Sequence, residues 1–145
     1  MNLLQGGIRS LCIGVSLLTR CFLMLACSPS KAKEEAESAV TKFHSRLDAE
    51  QYHDIYVQSS PEFQKSGSEA EITEFLAAVH RKLGRVRRSD ERGFNLNFNT
   101  SGSTVTLSYN SQFANGTATE QFVWRAGDHP SLINYRIDSP VLVTK

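Results

Sequence analysis

From Glu35 onward, apolar side chains recur at three- and four-residue steps. Ala36, Ala39, Val40, Phe43 and Leu47 trace one stripe, while Lys42, Arg46 and Glu50 fall on other faces. That spacing predicts an amphipathic helix. A shorter apolar group, Tyr52, Ile55 and Tyr56, predicts a second helical segment over residues 49–57. Ser59, Ser60 and Pro61 stop it, because proline disfavours helix in the residue before it. A third helix opens with Ser68 and Glu71 at capping-box spacing, each side chain satisfying the other's free backbone N–H. Ile72, Phe75, Leu76, Val79 and Leu83 form its apolar face. Arg81 and Lys82 fall in its last turn, where the helix dipole favours positive charge, and Gly84 marks its end.

After Gly84 the period changes from near four to two. Phe94, Leu96 and Phe98 alternate with Asn95, Asn97 and Asn99, and Val105, Leu107, Tyr109 and Phe113 share one face of the next run. Asn115 and Gly116 form a hairpin signal, since both residues tolerate positive φ. Phe122 and Trp124 lie on one side of the run 121–126, and residues 132–137 make the last strand. Residues 85–92 read either as a further strand or as a polar connector. Helices first and strands afterwards predict an α+β fold, with N-terminal helices packed on a four-stranded antiparallel β-sheet.

The first 26 residues carry a different pattern. Arg9 and the start amine precede a largely apolar run, 11–26, interrupted by Thr19 and Arg20 and ending in Leu25, Ala26 and Cys27. A basic start, an apolar run and a small residue before a cut site form a secretory signal. The run is shorter than the roughly 20 apolar residues that span a bilayer. Leu-Ala-Cys after such a run resembles the lipobox of bacterial lipoproteins. The resemblance implies a signal peptide over 1–26 and cleavage before Cys27, with palmitate-type acyl chains on that cysteine. The short polar stretch that follows suits a lipidated tether over 27–34, which leaves 35–145 as the α+β domain. Ser28 after the cysteine resembles an outer-membrane address facing the periplasm. From the residues alone, a simple signal with Cys27 incidental, or a buried first helix, stays open.

Composition narrows the chemistry. The 145 residues are 40% hydrophobic and 21% charged with a formal charge of +1, so no strong field of one sign draws the chain to nucleic acid. All three cysteines, Cys12, Cys21 and Cys27, lie in the first 27 residues. The remainder can form no internal disulfide, thiolate nucleophile or cysteine zinc site. No phosphate loop, dinucleotide fingerprint or nucleophile elbow occurs. His44 and Asp48 could share a helix face but read as a surface pair. His80 lies at the edge of an apolar stripe, where packing is expected, and His129 lies in a solvated turn. No metal site or cofactor is expected beyond the covalent lipid on Cys27.

Two groups remain as candidate contact surfaces. Arg81, Lys82, Arg85, Arg87 and Arg88 form a basic run suited to an anionic partner or headgroup. The plainer reading is a solvated surface balanced by Asp90 and Glu91. Tyr109, Phe122, Trp124 and Tyr135 could line a pocket in the sheet, although such aromatics more often form core. Acidic candidates for a catalytic role are Asp48, Asp54, Glu120 and Asp138.

The segment 75–84 followed by Val86, the run 119–124 and the closing 132–137 together resemble the family catalogued as domain of unknown function 4019. The resemblance implies a cystatin-like cone, as in nuclear transport factor two and its relatives, and brings no catalytic residue with it. The expected function is a non-enzymatic binding or accessory protein of the bacterial envelope. Its partners would be the membrane, through lipid, and an envelope protein or small ligand. The alternative is a small enzyme or ligand binder using a pocket in the cone.

Overall fold

A computed structural model describes residues 28–100 and 102–143. Cys27 and the leader lie outside them. Four helices come first: α1 (Pro29–Asp48), α2 (Tyr52–Val57), α3 (Pro61–Gln64) and α4 (Glu69–Leu83). Four strands follow, β1 (Val86–Asn99), β2 (Gly102–Phe113), β3 (Gly116–Arg125) and β4 (Ser131–Asp138), then a terminal turn of helix, α5 (Pro140–Val143). The strands pair antiparallel in the order β1-β2-β3-β4, a meander with β1 and β4 at its edges. The fold is therefore α+β, with the helices N-terminal to a four-stranded antiparallel sheet. Among the described residues no helix is long and apolar enough to cross a membrane.

The core lies between the helices and one face of the sheet. Val105, Leu107, Tyr109 and Phe113 of β2 and Ala118, Phe122 and Trp124 of β3 point inward. They meet Val40, Phe43 and Leu47 of α1 and Leu76, Val79 and Leu83 of α4. Alternation along β2 and β3 and the stripes on α1 and α4 are the two periods that bury one face of each element.

Two boundaries differ from the expectation, and one open reading is resolved. Helix α1 starts at Pro29, so residues 29–34 of the expected tether are helical. Ser28 caps the helix by accepting from the Lys31 N–H, and proline at the first helical position suits its fixed φ. Ala32 is buried, and Lys31 is tied to Asp128 at 2.7 Å. Helix α3 was not foreseen; Ser60 and Pro61, expected only to stop α2, also cap and open the next turn. Of the segment 85–92, which reads as either strand or connector, residues 86–92 are strand, the first half of the 14-residue β1, and Arg85 stays in the connection.

At the start of α4, Ser68 accepts from the Glu71 N–H, and the Glu71 carboxylate accepts from the Ser68 N–H at 2.8 Å. Ser68→Ala removes both the cap and its hydroxyl contact. A loss of about 1 kcal/mol in denaturant unfolding is expected. Gly84 ends the helix at φ 73°; a Cβ there would stand 2.9 Å from that of Ala114.

Candidate functional site

The inward row of β3 reads Ala118, Glu120, Phe122 and Trp124, so a carboxylate occupies a core position. Glu120 is 0% exposed. A buried carboxylate is tolerated only when its oxygens are hydrogen-bonded. Here the neighbouring elements each supply a donor. His44 of α1 donates from Nε2 to Oε2 at 3.0 Å, and Ser111 of β2 donates its hydroxyl to the same oxygen. Tyr135 of β4 donates its hydroxyl to Oε1 at 2.7 Å. The single Ser111 proton is spent on Glu120, so Ser89 of β1 donates to Ser111 at 2.8 Å. One polar chain thus ties α1 to all four strands.

Electrostatics follow from that arrangement. Burial alone pushes the Glu120 carboxyl up, but hydrogen bonds and charge attraction from His44, then Ser111 and Tyr135, outweigh it, and the group is held below its ordinary value. Burial, then the facing carboxylate, drives the Tyr135 hydroxyl well above its ordinary value. Tyr109 is pushed up to about 12 by burial and by the charges of Glu91 and Glu37. His44 is thereby placed in the core, not on the surface with Asp48. Asp48 instead accepts from the Val86 N–H at 3.1 Å, fastening the end of α1 to the start of β1.

The four candidate aromatics come together around Phe122. Its ring centroid lies 6.1 Å from Tyr109, 6.2 Å from Trp124 and 5.0 Å from Tyr135, with Phe43 of α1 at 5.2 Å. All four candidates are buried. Of them, Trp124 also reaches a cleft of about 170 Å³ between α1, α2 and the turn before β4. Glu35, Lys42 and Arg46 stand along its α1 side, Asp128 and His129 along the turn, and Phe43 and Leu132 on its floor. Arg46 donates to the Gln58 side chain across the cleft. A broader groove of about 750 Å³ opens at the other end of the sheet, between Asp90, Asn110, Thr119, Asp138 and Ser139.

The basic run divides by element. Arg81 and Lys82 end α4, where Arg81 pairs with Glu74 at 3.0 Å and Lys82 donates to the Leu142 carbonyl at 2.9 Å. Arg85 lies in the connection, and Arg87 and Arg88 begin β1, with Arg88 paired to Asp90 at 2.8 Å. His80 accepts from or donates to the Tyr52 hydroxyl through Nδ1 at 3.2 Å, and its Nε2 is buried without a partner. His129 is exposed. Asp54 and Asp138 lie apart from the Glu120 network. Among the described residues no group of three or more His, Cys, Asp or Glu side chains could hold a metal ion.

A search of curated proteins finds no match to the chain. A scan of family models finds one over residues 39–130, from the middle of α1 to the turn before β4. The match includes His44, Ser111 and Glu120 and stops short of Tyr135, so β4 closes the network from outside it. With well over half of its length matched, the chain belongs to the family described as protein of unknown function, DUF4019.

Proposed function

We propose that this protein is a bacterial envelope lipoprotein, held by acyl chains on Cys27 and acting as a non-enzymatic binding or accessory protein. The observation that carries this reading is the apolar run 11–26 ending in Leu25, Ala26 and Cys27. The start of α1 at Pro29, two residues later, supports it, since the folded domain would begin almost at the anchor. Two or more acyl chains hold a protein firmly, because each buried CH₂ contributes about 0.8 kcal/mol. The Ser28 side chain after the cysteine favours an outer-membrane location facing the periplasm. The long α1 laid across a four-stranded meander supports a cystatin-like cone.

A binding rather than catalytic role is favoured by the state of Glu120. Its oxygens are committed to three protein donors, away from solvent, so it meets no substrate. The cleft beside Trp124 favours the alternative, a small ligand binder or enzyme. Its volume is below the roughly 300–1,000 Å³ of ordinary ligand pockets, which restricts it to a compact molecule. The near-neutral charge supports an envelope protein or small ligand as partner rather than nucleic acid.

Metabolic labelling with a palmitate analogue tests the anchor. The full chain should take up label and partition with membranes, and Cys27→Ser should lose both. Equal labelling of the two would remove the lipoprotein reading.

A further inference from the structure

Strand β1 is an edge of the sheet, so every second residue turns its N–H and C=O away from β2. Its two halves differ in character. Residues 86–92 include Arg87, Arg88, Asp90, Glu91 and Arg92, and the register slips between Val86 and Arg88 and again between Glu91 and Gly93. Charges and bulges are the devices by which edge strands refuse a further strand. Residues 94–98 carry neither. Their register on β2 is unbroken, and none is charged. Phe94 and Phe98 are 53% and 55% exposed. Register places both rings and Leu96 on the core-facing side, with Leu107 and Val105.

This half also reads the same in both directions: Phe94, Asn95, Leu96, Asn97, Phe98. An antiparallel partner runs in reverse, so a palindromic strand is its own complement. About a two-fold axis at Leu96, Phe94 meets Phe98 of a second copy, Asn95 meets Asn97, and Leu96 meets its equivalent. Apolar groups then oppose apolar groups on one face, and amides oppose amides on the other. Arg92 falls opposite Thr100, and the rest of the charged half runs past the second copy's turn. No like charges meet in this register.

We propose that the chain forms a two-fold dimer through residues 94–98 of β1, joining two four-stranded sheets into one antiparallel sheet. This inference is independent of the lipid anchor. Register-specific crosslinking of the full chain tests it. Leu96→Cys should give a disulfide-linked dimer on mild oxidation, above the background of the native thiols. Asn95→Cys and Asn97→Cys should crosslink when mixed and far less when alone. Thr106→Cys, on an interior strand, should stay at background.

A charge swap on the exposed amides separates pairing from folding. Asn95→Lys with Asn97→Lys opposes like charges twice and should weaken association by roughly a hundredfold. Asn95→Lys with Asn97→Glu opposes unlike charges and should retain the dimer. A membrane surface or a foreign strand on the same rings would leave Leu96→Cys unlinked to its own copy. That outcome, or equal behaviour of the two charge variants in sedimentation, would overturn the proposal.

Discussion

Phe122→Ala is expected to destabilise the domain by about 3–5 kcal/mol, because it empties a fully enclosed site that the surrounding structure cannot close. Phe122 is 0% exposed on an interior strand, with Phe43, Tyr109, Trp124 and Tyr135 around its ring. Those neighbours come from α1 and from three strands, so no single element can shift to fill the space. Aromatic pairs add about 0.5–1.5 kcal/mol beyond their buried area, and several are lost together. A domain of this size has on the order of 5–15 kcal/mol in total. Urea unfolding followed by circular dichroism should therefore show a markedly lower midpoint. Val57→Ala, on an exposed position of α2, should move it by no more than about 0.5 kcal/mol. An unchanged midpoint for Phe122→Ala would contradict the placement of this ring at the centre of the core.

How far such a site can be read from sequence depends on the span of the pattern. The stripe over α4 and its capping box are local, and Ser68, Glu71, Leu76 and Leu83 reveal them without any partner. Alternation from Val105 to Phe113 reveals β2 and its buried face in the same way. The first turns of α1 were hidden because Lys31, Lys33, Glu34 and Glu35 surround the two alanines that face the core. Charge on both faces of residues 86–92 leaves the first half of β1 open between strand and connector, since this part of the edge strand has little apolar surface to show. Helix α3 is too short to have a period at all.

The Glu120 network was legible only in halves. His44 falls between Phe43 and Leu47 on an apolar stripe, and Glu120 falls two residues before Phe122 in an inward row. Each is a polar group at a core position, which is a signal for a partner. Nothing local joins them across 76 residues, and Ser111 and Tyr135 arrive from two further strands. The meander is what converts four separate anomalies into one satisfied carboxylate.

Removing that carboxylate should be nearly as costly as removing Phe122. Glu120→Ala leaves the His44, Ser111 and Tyr135 donors buried with no acceptor, and breaking such an arrangement from one side costs about 3–5 kcal/mol. Glu120→Gln keeps the volume and one acceptor oxygen, but its amide N–H groups face donors, so a smaller loss is expected. The pH dependence isolates the charge. Because the folded carboxyl is held below its ordinary value of 4.5, the unfolded chain binds the proton more readily. Its contribution to stability is complete above that value and is lost as pH falls through it toward the folded value. Glu37, Glu62, Glu71 and Asp128 are also held low, so the parent has an acid limb with several contributors. Those four stay in place in Glu120→Gln, and the difference between the two curves belongs to Glu120. Stability measured by urea unfolding from neutral pH downward should fall more steeply in the parent than in the variant. Parallel acid limbs would mean that Glu120 is not an ionised, donor-bound carboxylate in the folded protein. The buried chain from His44 to Tyr135 would then need a different protonation state.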